Sequence, residues 1–376
     1  MRQMIPPLVR FLNDLYVDGG AFSFTEEEYT LVAADSDLFS ITAQVFHMLK
    51  EKGRLHELPL FLQEHLARKS EATLYQNLLL KSETDRLLRL LDDEELEVLL
   101  MKGVHFSEQF FGGTGARGTT DIDILVRPDD LLAVVKLVQQ AGYCVFDGSD
   151  ASHHVVCTKE GAGLLPITVE IHWGLVEHHT ARIDYEQLWL NSHLLEPYRY
   201  ARRMNAEDTL YCICLHGSQH RMNSIRYFLD IVQMMLKLGD ELQLQEIVSR
   251  ARREHTYKRL QTALSAVRFL FPGLRMLAAE KPKVPLLWSY RLMRTVQMDL
   301  KGPGQMLYSI LYHLIKVYDR PVYVWTWLGY YFVPYVHPAL LALNEEKETS
   351  RWRHMKTVYT ERWKRLSRFV KLKKYV

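Results

Sequence analysis

The heptapeptide TDIDILV at residues 120–126 alternates polar and apolar side chains. Ile122, Ile124 and Val126 fall on one side, and Asp121, Asp123 and Leu125 on the other. That period of two predicts a strand with one buried face. Residues two apart on a strand point the same way, so Asp121 and Asp123 can grip the same cation. Mg²⁺ takes hard oxygen ligands of this kind, one or two carboxylates plus phosphate and water. An acidic pair is also what a solvated strand face carries, so its neighbours must decide between site and surface.

Upstream, Val98 to Met101 is a short apolar run ending in Lys102-Gly103, and a helix is expected from Val104 to Phe111. Backbone N–H groups at such a helix start can hold phosphate, and glycine permits close approach. Gly112, Gly113, Gly115 and Gly118 make a loop that carries Arg117, four residues before Asp121 and placed to reach phosphate oxygens. Downstream, Pro128 opens a helix with Asp129 and Asp130 in its first turn, ending near Gly142. Two more strands are predicted at His154 to Thr158 and Ile167 to Trp173, around a turn at 160–166. The second carries Glu170, a third carboxylate that could complete a two-metal clamp. His172 shares the face of Glu170 and could orient a carboxylate or touch substrate; a partly buried polar strand residue is the plainer reading.

The segments LLMKG (99–103), RGTTDIDILV (117–126) and VEIHW (169–173), with the later CLHGSQHRMNSIRYFLDI (214–231), resemble the bacterial group of uncharacterised nucleotidyltransferases in the polymerase-beta superfamily. The resemblance runs from about Leu96 to Asp230. It implies a small mixed sheet with helices on one side, a first strand–loop–helix that holds nucleotide phosphates, and Asp121, Asp123 and Glu170 holding two Mg²⁺ ions, with Mn²⁺ as a substitute. The implied reaction is attack of an acceptor oxygen on the α-phosphate of a nucleoside triphosphate, with release of pyrophosphate. Two positions depart from the wider superfamily pattern. Gly103 is followed by Val104 where a serine is usual, so a hydroxyl is missing and Lys102 is expected to compensate. The third carboxylate is Glu170, where aspartate is more usual.

Around this core the chain is helical. Apolar spacing at Leu38, Ile41, Val45, Phe46 and Leu49 predicts helix, continued to about Leu80. A charged helix at Thr84 to Leu91 and an acidic turn at 92–95 follow. From Glu207 onward, 210–215, 225–238 and 242–248 have the spacing of packed helices. His216 and His220 share a helix face. A zinc reading with Cys212 and Cys214 is disfavoured, because Cys214 leaves that stripe and no second pair exists. His220, Arg226 and Asp230 are read instead as candidates for the acceptor side of the cleft, against ordinary packing and salt bridging. His153-His154 is read either as lying near the strand edge beside the site or, the preferred reading, as exposed, and His178-His179 is read the same way.

The fold class is therefore α+β: a small mixed-sheet nucleotidyltransferase core at 93–200, between a helical region at 1–92 and helices at 201–300, with an aromatic-rich segment and basic tail at 301–376. Of 376 residues, 48% are hydrophobic and 24% charged, which excludes long disorder. Four cysteines argue against a disulfide framework. The stretch Pro6 to Leu12 carries Arg10 and runs into Asn13-Asp14, so no secretory pattern is read and the chain is expected to be cytoplasmic. Residues 351–376 hold ten Lys or Arg and one acid, Glu361, on a chain of net charge +2. With the uncharged, Trp/Tyr-rich stretch 321–343 upstream, that tail is read as a contact for an anionic membrane surface, against a solvated helix face. The stretch itself is read as a packed helix ahead of a membrane element, given Pro334, His337 and Pro338. No sequence-specific nucleic-acid partner is expected. The partners are a nucleoside triphosphate and an unidentified acceptor. The competing reading is a non-catalytic nucleotide-binding or membrane-associated scaffold that kept the fold.

Overall fold

In a computed structural model of the chain, TDIDILV forms the centre of a seven-stranded mixed sheet. The structure describes residues 5–18, 20–146, 152–160, 166–274, 289–298 and 311–332, with the single residues 308, 337, 338, 340, 356 and 360. The strands are β1 (Val98–Leu100), β2 (Asp121–Val126), β3 (Cys144–Val145), β4 (His154–Lys159), β5 (Ile167–His172), β6 (His193–Leu194) and β7 (Ala201–Arg203). Their order is β3-β4-β5-β2-β1-β7-β6. β2 runs antiparallel to β1 and parallel to β5, and β4 pairs antiparallel with β5. The strands β3, β6 and β7 were not read from the sequence. Each is two or three residues long, too short to display a period.

The helices are α1 (Pro7–Asn13), α2 (Glu26–Leu38), α3 (Thr42–Glu51), α4 (Leu60–Asp93), α5 (Val104–Phe111), α6 (Leu131–Gln140), α7 (Tyr185–Leu190), α8 (Ala206–Gln219), α9 (Ile225–Leu238), α10 (Leu244–Arg253), α11 (Tyr257–Leu270), α12 (Tyr290–Gln297) and α13 (Pro321–Phe332). α4 is one continuous 34-residue helix, not a helix to Leu80 followed by a second at Thr84. Lys81-Ser82-Glu83 contains no breaker, and the apolar stripe resumes at Leu87, Leu88 and Leu91.

The sheet's two faces follow the alternation. Ile122, Ile124 and Val126 pack with Val169 and Ile171 against Leu80, Leu87, Leu88 and Leu91 of α4 and Leu131, Val134, Val135 and Val138 of α6. Leu99, Met101 and Leu125, on the opposite side, join the core built by α1, α3, α8, α9 and α11. Helices therefore cover both faces, where the resemblance implied one. The physical reason is Leu125, Leu99 and Met101, which leave an apolar strip on the acidic face that needs cover. Val104, at the position of the missing hydroxyl, is buried in the α4/α6 core.

Among the described residues no helix is long and apolar enough to cross a membrane. The basic tail lies outside the described residues apart from Lys356 and Thr360.

Candidate active site

Strand register assembles the acidic cluster. Across the parallel β2–β5 pair, Asp123 lies opposite Glu170, Asp121 opposite Thr168 and Leu125 opposite His172. Partnered residues project from the same face, so the side chains of Asp121, Asp123, Glu170 and His172 all stand on one side of the sheet. Asp123 is 1% exposed. Its Oδ1 lies 3.2 Å from His172 Nε2, and its Oδ2 lies 3.2 Å from Lys102 Nζ. His172 Nε2 also lies 3.3 Å from Glu170 Oε2. The imidazole thus sits between two of the three carboxylates.

Lys102 follows β1 and is placed by Gly103, whose φ of 93° is open to glycine and strained for other residues. That turn starts α5 and lifts the lysine over the cluster. Lys102 Nζ is also 3.3 Å from His216 Nε2 on α8. Burial works against charge on this lysine, but Asp123 and Asp121 outweigh it and hold its pKa above the ordinary value. Burial likewise opposes a charged Asp123, yet Lys102 and the His172 hydrogen bond keep that carboxyl well below the usual range. Burial and Asp123 push Asp121 the other way, upward. For Glu170 the burial penalty is overcome by the hydrogen bond from His172, and the net shift is downward. His172, despite burial, is raised by its bonds to Asp123 and Glu170.

The Gly-rich loop at 112–120 is braced from α4. Asn77, fully buried, donates to the carbonyls of Thr114 (2.5 Å) and Arg117 (2.7 Å) and accepts from Thr119 N (3.1 Å). Gly115 abuts α4 so closely that a Cβ there would lie 2.9 Å from Leu74 Cβ. The loop's Arg117, expected from the sequence to contact phosphate, lines the cleft and is engaged there in an ion pair. Its Nε and Nη2 each donate to Asp230 of α9 at 2.7 Å, a buried bidentate pair. Gln44 of α3 donates to the same carboxylate at 3.2 Å. A short loop beside a helix that carries an unpaired carboxylate will clasp it, and spacing within the loop could not reveal that partner. Arg226 is different. It donates to Gly118 O and lines the cleft near Asp121, where burial and Arg117 lower its pKa.

The cleft beside this cluster is lined by Lys102, Gly103, Arg117, Thr120, Asp121, Asp123 and His216, with Arg226, Tyr227 and Asp230 from α9. Phe39 and Ser40 from the N-terminal helices and Gln297 from α12 complete it. His220 caps α8 and stacks on Tyr227, with ring centroids 5.8 Å apart and planes at 13°. Burial, then Lys102, lowers its pKa to about 4. The cleft takes in Lys102, Gly103, Arg117, Asp121, Asp123, Arg226 and Asp230, with Glu170 and His172 adjoining it through Asp123 and His220 through Tyr227. Two contributors were not foreseen, His216 at Lys102 and Gln44 at Asp230. For His153-His154 exposure is the preferred sequence reading, ahead of a place beside the site. They are half-buried instead, with His154 opposite His172 in register and stacked on its ring at 5.0 Å. A buried Gln44 on an otherwise apolar face was the one available signal for its role.

The donor set fits a divalent ion. Asp123, Glu170 and His172 offer ligand atoms within 4.8 Å of one another. Asp123 Oδ2 is buried, with the Lys102 ammonium 3.2 Å away as its ion-pair partner. Cys212 and Cys214 are buried thiols, and Cys212 is pushed up to about 12 by burial, as for a protonated core cysteine.

A family model described as uncharacterised nucleotidyltransferase matches residues 37–272, a wider span than the resemblance over 96–230. It takes in Phe39 and Ser40, which line the cleft, and Gln44, which donates to Asp230. No curated protein matches the chain.

Proposed function

The chain belongs to the uncharacterised nucleotidyltransferase family, and from that premise we propose that the cleft moves a nucleoside monophosphate from a nucleoside triphosphate to an acceptor. The observation that carries the proposal is the β2–β5 register, which sets Asp123 beside Glu170 with Asp121 on the same face of the sheet. These three carboxylates would hold Mg²⁺, two ions in the full arrangement, and Mn²⁺ as a substitute. When bound, the ions neutralise the triphosphate and make the acceptor hydroxyl more acidic.

The chain's own residues do the rest by positioning and charge. Gly103 and the first N–H groups of α5 receive phosphate oxygens, with no side chain at residue 103 to obstruct them. Arg226 supplies a cation for the developing charge, while Arg117 acts as a positioning residue that clamps the loop to Asp230. His172 orients Asp123 and Glu170. The acceptor approaches past His216, His220 and Tyr227. Its oxygen forms a bond to the α-phosphorus as the bond to the β-phosphate bridging oxygen breaks. The acceptor proton passes to a carboxylate of the cluster, and pyrophosphate leaves.

The test uses nucleoside triphosphates labelled at the α- or γ-phosphate, incubated with Mg²⁺, the intact protein and a cell extract as the acceptor source. Transfer of the α-label with release of the γ-label as pyrophosphate is expected, and Asp123→Asn removes both. Formation of nucleoside diphosphate and inorganic phosphate, or no turnover above the variant, would overturn the reading. A second reading, a nucleotide-binding protein without catalysis, draws on the Lys102 ammonium 3.2 Å from an Asp123 oxygen. It predicts binding in the same cleft with no labelled product.

A further inference from the structure

Beside the carboxylates, and on the side away from Lys102, lies a second group of donors that phosphate chemistry does not require. His153, His154 and His172 each offer a ring nitrogen, and the three nitrogens lie within 4.8 Å of one another. We propose that these imidazoles form a separate site for a borderline-soft divalent transition metal of the Zn²⁺ or Co²⁺ class.

Three observations carry the proposal. First, His153 Nε2 and His154 Nδ1 are 3.2 Å apart. Two nitrogens bound tetrahedrally to one ion at roughly 2.0–2.1 Å stand about 3.3 Å from each other, so this spacing already matches a shared ion. Second, His172 is 5% exposed, its Nε2 faces Asp123 and Glu170, and its Nδ1 is buried without a hydrogen-bond partner among the described residues. A metal-binding histidine ordinarily turns its other ring nitrogen to a carboxylate, which fixes the tautomer and leaves the first nitrogen as the ligand. His172 has that arrangement in advance of any ion. Third, His153 is anchored in the same way. Its Nδ1 lies 3.1 Å from Ser152 Oγ, leaving Nε2 for the ion.

The local fold explains the grouping. His154 lies opposite His172 in the antiparallel β4–β5 register, and His153 precedes the strand where Trp173 N and Gly174 N both donate to its carbonyl. Imidazole donors favour Zn²⁺, Co²⁺ or Ni²⁺, whereas Mg²⁺ favours the oxygens of Asp121, Asp123 and Glu170. The two sites therefore sort their ions by ligand type and meet at His172. The inference rests on the geometry of the three imidazoles and not on nucleotidyl transfer, although His172 is common to both sites.

Co²⁺ titration of the intact, chelator-treated protein, followed by visible absorption in excess Mg²⁺, tests it. One equivalent is expected to give the intense d–d bands of a four-coordinate ion, with Zn²⁺ displacing it. His153→Ala and His154→Gln should each weaken binding by more than the roughly 10–100-fold typical of losing a ligand's orienting partner. Asp121→Asn, outside the imidazole group, should leave the bands unchanged even as it impairs nucleotide binding. Circular dichroism and thermal melts of the variants confirm that they are folded. The proposal is overturned if no four-coordinate bands form, if they persist in folded His153→Ala and His154→Gln, or if Mg²⁺ abolishes them.

Discussion

Asp123 has a partner at each of its two oxygens, the Lys102 ammonium on one and the His172 imidazole on the other. In the protein alone these two groups offset the charge of a buried carboxylate that would otherwise be costly. Arg226 has a backbone carbonyl for a hydrogen-bond partner, and so keeps donors for a phosphate. Arg226→Ala is expected to weaken triphosphate binding about 10- to 100-fold, the worth of one charge-assisted hydrogen bond. Calorimetric dissociation constants for the two proteins check this, and equal values would remove Arg226 from the phosphate site. At this scale the sequence was most informative about residues on the same strand. Asp121, Asp123, Glu170 and His172 were legible because period two fixes which side chains share a face. His216, Gln44 and the Arg117–Asp230 pair were not, because each meets its partner across more than a hundred residues of chain or between separate elements.

The element that organises the site from behind is α4. Its inner stripe covers one sheet face, and its Asn77 and Gln76 hold the Gly-rich loop. Near its C-terminal end, Glu83 accepts from Arg86 Nη2 (2.6 Å) and Nε (2.9 Å) and from Tyr143 Oη (2.8 Å), with Lys159 Nζ at 3.4 Å. The Arg86 hydrogen bonds, working against burial and aided by Tyr143, lower its pKa from 4.5 to about 2. A carboxyl with a depressed folded pKa contributes stability that is fully present above its unfolded pKa, and loses it as pH falls through the folded one. Glu83→Gln should therefore cost about 1–3 kcal/mol at pH 7. The gap to the unaltered protein should close as pH falls from about 5 toward 2. Urea unfolding across that range measures it, and a gap independent of pH would mean that the Glu83 charge contributes nothing. The length of α4 was only partly legible. Its exposed polar stretch around Lys81 to Glu83 reads as a boundary, although nothing there breaks a helix.

Across the whole molecule, the N-terminal helices, the sheet and the later helices share one apolar cluster that runs from Leu8 to Met293. The Gln44–Asp230–Arg117 group ties three separate stretches of chain together inside it, with Asp230 2% exposed. Removing one partner leaves the other charge buried and unpaired, so Asp230→Ala is expected to cost about 3–5 kcal/mol in denaturant unfolding. The double change Arg117→Met/Asp230→Leu should cost less than the single one, and additive losses would contradict the coupling. The helical character of the flanks was legible from spacing. Their part in the cleft was not, because Phe39, Ser40 and Gln297 reach it only through tertiary packing. On the proposed function this cleft, built by all three stretches, binds a triphosphate together with a divalent metal. Calorimetry of ATP, GTP, CTP and UTP with and without Mg²⁺, on the intact protein and on Asp121→Ala/Asp123→Ala, tests that directly. Saturable binding of at least one triphosphate that requires both the ion and the two aspartates is expected. Absence of binding by a folded sample, or binding indifferent to Mg²⁺ and to the double substitution, would contradict it.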